Sequence, residues 1–198
     1  IGKRSKLEDE RRAEEAKMSM TDLAANVIND FLANVFFDNS RFVLVPYANV
    51  YKIESHGKPV RPHEISTGER NILALCYFFS EGGRMKSEGA EDSDPQYVIL
   101  DDPVSSFDME NRVGICSLIR DRAAHILESN PDSLITVMTH DAGIAAELKH
   151  TFDDLNEAYK GTQNAFFTDY LELRDGATYL LPMKKSRYSI LLKRAFDY

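Results

Sequence analysis

Tyr97-Val98-Ile99-Leu100-Asp101-Asp102-Pro103-Val104-Ser105-Ser106-Phe107-Asp108 is the stretch from which the fold is read. Tyr97–Leu100 is a continuous apolar run, the pattern of a strand buried on both faces of a parallel sheet. Two carboxylates, Asp101 and Asp102, stand at its end. In open α/β sheets, ligands bind outside the carboxyl ends of the strands. A first carboxylate at such a place can hold Mg²⁺, usually through water. A second can orient or polarise an attacking water. A plain strand end followed by a polar turn is the structural alternative.

Working outward, a second apolar run, Leu134–Met138, ends in Thr139-His140-Asp141, which puts His140 38 residues after Asp102. A His at the end of a neighbouring parallel strand lies on the same rim as Asp101 and Asp102. There it can contact a phosphate or the attacking water. Helical periodicity predicts helices from about Glu110 to Leu127 and over Ala142–His150. Upstream, Ile65-Ser66-Thr67-Gly68-Glu69-Arg70 opens a helix to about Ser80, with Ile72, Leu75, Cys76 and Phe79 as its buried stripe. Ser66 and Glu69 have the spacing of a capping box. The same helix start can bind an anion, because its first N–H groups and the positive end of its dipole converge on one spot. Glu69 leaves that function intact if its carboxylate folds back onto the cap. Alternating strands and helices predict an α/β domain with a largely parallel sheet.

The flanks are less specific. Residues 3–17 carry six Lys/Arg and five Asp/Glu, which fits the root of a coiled coil or a frayed terminal helix equally. Leu23, Val27, Ile28, Phe31, Leu32, Val35 and Phe36 fall on one helical face, with Ser19 and Asp22 placed to cap its start. Phe42–Val45 and Val50–Ile53 read as short strands, and His56-Gly57-Lys58-Pro59 as a turn. Residues 81–95 are polar and Gly-rich, the composition of a surface loop. Asp175-Gly176 between Tyr170–Arg174 and Thr178–Leu181 signals a hairpin. Lys184, Lys185, Arg187, Lys193 and Arg194 lie within eleven residues free of acids. That patch can touch nucleic acid or an acidic partner, or can be the solvated face of a helix.

With 198 residues there is room for one domain and an appendage. Hydrophobic residues at 43% and charged residues at 28% exclude a disordered or fibrous chain. A net charge of −8 argues against binding nucleic acid over the whole surface. No run reaches the roughly 20 apolar residues of a membrane span, and no membrane partner is expected. Cys76 and Cys116 are too few for a disulfide framework or a four-ligand zinc site; they read as buried reduced thiols in a cytoplasmic protein. The chain starts Ile-Gly-Lys-Arg, without a signal peptide and without Met, as a piece of something longer would.

Four of these motifs together resemble the ABC-type ATPases. Ile65–Arg70 is similar to their signature motif and Val98–Pro103 to their Walker B motif. Ser105–Asp108 is similar to their D-loop, and His140 to their switch histidine. Order and spacing match across about residues 60–145. The charged start, the Asp-Asp-Pro-Val-Ser-Ser-Phe-Asp string and the helix around Asn29–Phe37 look most like a narrower group. These are the bacterial ATPases of the anticodon-nuclease type (PrrC- and RloC-like), relatives of the SMC and DNA-repair ATPases. The resemblance implies a P-loop NTPase fold in which two heads sandwich two ATP molecules. Asp101 would bind Mg²⁺, while Asp102 and His140 address the attacking water and the γ-phosphate. Ser66, Thr67, Gly68 and Glu69, with Ser105 and Asp108, would contact nucleotide across the dimer.

Two departures stand out. No Gly-x-x-x-x-Gly-Lys-Ser/Thr loop is present, and the family's usual catalytic Glu is Asp102, one methylene shorter. In SMC-like heads the Walker A lobe precedes a long coiled coil and the signature–Walker B lobe follows it. By resemblance, residues 19–198 are that second, C-terminal lobe and residues 1–18 the returning coiled-coil root. The implied function is an ATP-driven switch that closes a dimer and controls a nuclease effector in antiviral defence. The alternatives are an SMC-like DNA-repair or end-processing ATPase, and a non-hydrolysing scaffold that dimerises on ATP. A transporter subunit fits less well, because the chain starts with a charged helix instead of a β-subdomain.

Overall fold

The computed structural model describes residues 21–47, 50–84, 94–104, 109–162, 165 and 167–180. The expected coiled-coil root, the Ser19 cap, the D-loop residues Ser105 and Asp108, and the basic patch from Lys184 to Arg194 lie outside them. The chain divides into two compact units, Ile1–Glu91 with Ser106–Leu118, and Asp92–Ser105 with Ile119–Tyr198.

The first unit begins with a helix over residues 21–36, α1. Its buried face is Ala24, Ala25, Ile28, Leu32 and Val35; Leu23, expected inside, is exposed. The stripe is therefore rotated from the one the bulky residues suggest, and two alanines lie inside it. β1 (Val43–Tyr47), β2 (Val50–Ser55) and β3 (Lys58–Val60) follow as an antiparallel sheet in the order β1-β2-β3. The third strand was not expected: the turn is only His56-Gly57, both at positive φ (49° and 73°), and Lys58-Pro59 already belongs to β3. Pro46 lies within β1, opposite Tyr51. β1 is an edge strand, where a missing N–H is tolerated.

After the short 3₁₀ turn Pro62–Glu64 comes α2 (Thr67–Arg84). Ile72, Cys76 and Phe79 are buried along it, as the periodicity predicts, and Leu75 is half-buried. The helix continues through Glu81-Gly82-Gly83-Arg84, so residues 81–84 are helical where a loop is expected, and residues 85–93 lie outside the described ones. Burial pushes the Cys76 thiol up to about 12, which keeps it protonated and inert.

The second unit holds β4 (Tyr97–Asp101), β5 (Leu134–Met138), α4 (Ala142–Tyr159) and a hairpin of β6 (Leu171–Arg174) and β7 (Ala177–Leu180). α3 (Met109–Ser129) runs from one unit into the other. β4 and β5 are parallel, with Asp101 opposite Met138. This pair is the whole of the parallel sheet among the described residues, so the expected largely parallel sheet is two strands wide, and the other sheets are antiparallel.

Nor is β4 buried on both faces. Val98 and Leu100 are buried, while Tyr97 (72%), Ile99 (66%), Leu134 (57%) and Met138 (45%) are exposed on the other face. An apolar strand can read as two-sided in sequence when only one side has a cover in this part of the chain. The hairpin turn is Asp175-Gly176, at φ 51° and 75°, the two positive values a two-residue type I′ turn requires. Tyr170 ties the approach to the hairpin onto α4: its hydroxyl donates to Asp153 Oδ1 at 2.9 Å. Burial and that carboxylate push the Tyr170 phenol well above its ordinary value. No helix among the described residues is long and apolar enough to cross a membrane.

Candidate active site

The carboxyl ends of β4 and β5 meet at Asp102. Its backbone N–H donates to Met138 O at 2.8 Å, which carries the ladder one residue past β4. There the chain turns sharply, with Asp102 at φ 51°. That region costs an L-residue about 1–2 kcal/mol, least for Asp and Asn, and is held only where neighbours over-determine it. Thr139 Oγ1 donates to Asp102 Oδ1 at 3.0 Å. His140 Nδ1 lies 2.8 Å from Asp102 Oδ2, with the imidazole largely exposed and the carboxylate mostly covered. An ionised carboxylate only accepts, so Nδ1 carries the proton and Nε2 is the atom presented outward.

Asp141 fixes the next turn. Its carboxylate caps α4, accepting from Gly143 N at 2.7 Å and Ile144 N at 3.0 Å. Its own N–H donates to Thr139 Oγ1 at 3.3 Å. Asp101 ends β4 with an exposed side chain on the face that bears Tyr97 and Ile99. No group of three or more His, Cys, Asp or Glu among the described residues could cage a metal. Mg²⁺ does not require one: it binds through one or two carboxylates and completes its shell with water and phosphate oxygens. Asp101 suits that role as a hard, accessible oxygen donor.

The expected capping box is formed in the first unit. Ser66 N and Oγ donate to Glu69 Oε2 at 3.0 and 2.7 Å, and Glu69 N donates to Ser66 Oγ at 3.2 Å. The Glu69 carboxylate thus folds back onto the cap. Arg41 also pairs with its other oxygen. Helix geometry leaves the N–H groups of Thr67 and Gly68 without an intrahelical acceptor. Thr67 Oγ1 accepts from Arg70 Nη2 at 3.1 Å.

Burial raises the Glu69 carboxyl, but the Ser66 hydrogen bonds and the Arg41 charge outweigh it and hold the group below its ordinary 4.5. The unfolded chain therefore takes up the proton first as pH falls. The stabilisation is complete above 4.5 and is lost as pH drops through the lower folded value. Glu69→Ala is expected to cost about 1 kcal/mol at neutral pH, the usual worth of a cap. Urea unfolding followed from neutral pH to below 4.5 should show the wild-type advantage shrinking. An advantage constant across that range would overturn the ionic account.

Each expected site residue among the described ones keeps a distinct place. Asp102 and His140 come together on the second unit, with Asp101 next in the chain but exposed on the Tyr97/Ile99 face; Ser66, Thr67, Gly68 and Glu69 sit together on the first. Sequence reading gave Thr139 and Arg41 no role. Thr139 was open to notice, since it adjoins His140 at a strand end. Arg41 was not, because it lies 28 residues from Glu69 and only the fold pairs them.

A rim of carboxylate, hydroxyl and imidazole at the carboxyl ends of parallel strands is the kind of site that serves nucleotide chemistry in α/β proteins. The AAA_13 model, described as an AAA domain, matches residues 2–195, and the chain belongs to that family. It is thus an AAA domain of α/β fold. A "chromosomal cassette SCCmec type IVc protein CR006" of Staphylococcus aureus strain MRSA252 is 26% identical over 136 residues, and a second Staphylococcus aureus protein of that name matches to the same extent. The match takes in 68% of this chain but spans only 17% of the length of those relatives. Among solved structures, the SMC head domain from Thermotoga maritima aligns with a TM-score of 0.49 at 16% identity, covering 80% of this chain and 46% of that one.

Proposed function

We propose that this chain is the signature–Walker B lobe of an ABC-type ATPase head, residues 19–198, with residues 1–18 as the root of a coiled coil. The observation that carries the reading is the convergence of Asp102, Thr139 and His140 at the ends of two parallel strands. Asp101 would hold Mg²⁺, which would neutralise phosphate charge when bound. Asp102 would orient the attacking water, and His140, its Nδ1 held by Asp102, would offer Nε2 to the γ-phosphate. Thr67 and Gly68 offer N–H groups, while Ser66 closes the cap with Glu69, whose carboxylate is taken up by Ser66 N and Oγ. With Ser105 and Asp108 they address ATP held by the opposite head. The bare apolar face of β4 and β5 supports a partner lobe, the Walker A half of the same polypeptide, since so much exposed Tyr, Ile, Leu and Met is costly in water.

ATP would then close two heads and hydrolysis would open them. The string Asp101–Asp108 and the helix preceding the sheet resemble the anticodon-nuclease group. We therefore read the switch as one that restrains a nuclease effector in antiviral defence, with the basic patch near Lys184 as a contact for nucleic acid. A second reading, a scaffold that binds ATP without turnover, draws on the engagement of both Asp102 oxygens by Thr139 and His140.

Mixing two disabled heads tests the arrangement. In the full-length protein, Gly68→Asp puts a negative charge at the helix start; it should leave ATP affinity within a few-fold and abolish ATP-dependent dimers on size exclusion. Ser66→Arg should do the same by bulk. Mixed with Asp102→Asn, either should regain part of the ATPase rate, because the mixed dimer contains one intact composite site. If Gly68→Asp instead abolishes ATP binding by the isolated head, the segment acts in cis and the reading is wrong.

A further inference from the structure

We infer that Thr139 is a positioning residue for Asp102, acting through a directed chain of hydrogen bonds from the backbone of Asp141. The inference rests on the reading of Asp102 as the group that addresses the attacking water.

The Thr139 hydroxyl receives the Asp141 N–H at 3.3 Å and stands 3.0 Å from Asp102 Oδ1. A hydroxyl has one proton to give. With a lone pair taken by Asp141 N–H and an acceptor-only carboxylate beside it, that proton points at Asp102. Asp141 cannot drift, because its carboxylate caps α4 through Gly143 N and Ile144 N. Thr139 is β-branched, with its hydroxyl on a stiff χ1. The donor is therefore mounted on a rigid strand–helix junction, not on a long side chain. At the other end, Asp102 sits at φ 51° with its N–H on Met138 O at 2.8 Å. Backbone and side chain of Asp102 are thus both tied to the end of β5.

Asp102 is shorter by one methylene than the Glu of the resembled family, so it has fewer torsions with which to find the water. Holding Oδ1 by Thr139 fixes the carboxylate plane. Only Oδ2, shared with His140 Nδ1 at 2.8 Å, then faces the imidazole. Thr139 touches no reacting atom in this account; its effect passes entirely through Asp102.

The test uses the full-length protein with ATP and Mg²⁺, in steady state and single turnover. Thr139→Val keeps shape and branching but removes the donor. Losing a hydrogen bond to a charged group should lower kcat about 10- to 100-fold with KM for ATP unchanged, and Thr139→Ser should restore most of the rate. In the Asp102→Asn background, Thr139→Val should cause no further loss, since the group it positions is already gone. Thr139→Ala serves if the valine variant does not fold. A kcat within twofold of wild type in Thr139→Val, a rise in KM in place of the fall in kcat, no rescue by serine, or an additive loss in the Asp102→Asn background each overturns the inference. If Asp102→Asn is inactive while Thr139→Val turns over normally, this inference alone fails. If Asp102→Asn itself hydrolyses ATP at the wild-type rate, the reading of Asp102 fails and takes this one with it.

Discussion

In the complete head, Asp102→Asn should bind ATP as the wild type does and hydrolyse it about 10²–10⁴-fold more slowly, the usual cost of losing one such proton-handling group. The substitution is close to isosteric. Asn Oδ1 can still accept from Thr139 Oγ1, and the backbone hydrogen bond to Met138 O is untouched. The turn at φ 51° is also one that Asn tolerates as well as Asp. The backbone of the rim is therefore preserved; the negative charge disappears, and with the amide NH₂ opposite His140 Nδ1 the imidazole must take its other tautomer. An amide cannot polarise a water or take its proton. On the proposed reading, in which the lobe preceding this one makes most contacts to ATP, the variant should collect as the closed, ATP-bound dimer on size exclusion. The two measurements together are decisive: slow turnover with a persistent dimer supports the role. Unchanged turnover would move the water-orienting role to His140 or another group, and His140→Ala would then be the variant that stops hydrolysis.

The second large effect is on stability. Gly114 on α3 is expected to be irreplaceable: Gly114→Ala should destabilise the first unit by about 2–4 kcal/mol, and Gly114→Val by more. A Cβ at this position would lie 2.7 Å from both the Cα and the carbonyl carbon of Val35 on α1, and nearer still to the Val35 oxygen. These are backbone atoms of a fully buried residue, so no rotamer change relieves the clash and the two helices must separate. Separation opens voids beside Ile28, Leu32, Ile115 and Cys116, all buried. Alanine's better helix propensity, about 1 kcal/mol, offsets only part of this. Urea unfolding of the wild type and Gly114→Ala decides it, and an unchanged midpoint would show that α1 and α3 do not cross backbone to backbone.

The close crossing at Gly114 shows where sequence reading ran out. α1 is legible as a helix, but its largest side chains point to a face that is not quite the buried one. The real face includes Ala24 and Ala25 and leaves Leu23 outside. Where a helix is packed by backbone contact, small residues mark the interface, and a periodicity count weighted by bulk misses them. The pairing of Arg41 with Glu69 was hidden for a similar reason: nothing local in either residue names the other. The third strand of the small sheet was missed because Lys58-Pro59 looks like turn chemistry until β2 provides a neighbour for it.

Features settled by neighbours within a few residues are readable from the chain alone. The Ser66–Glu69 cap, the Asp175-Gly176 turn, and β5 at Leu134–Met138 are each specified by side chains or backbone preferences acting over one or two turns of chain. So are the identities of Asp101, Asp102 and His140 as strand-end groups, because a run of apolar residues that stops at a polar one is its own marker. Only the tertiary structure decided which of these groups meet. It set Thr139 and His140 on the two oxygens of Asp102 and placed Asp101 on the bare face of a two-stranded sheet. It also brought Val35 against Gly114. Such contacts join residues tens of positions apart, and their distances depend on how whole helices and strands pack. No local pattern of side chains encodes that geometry.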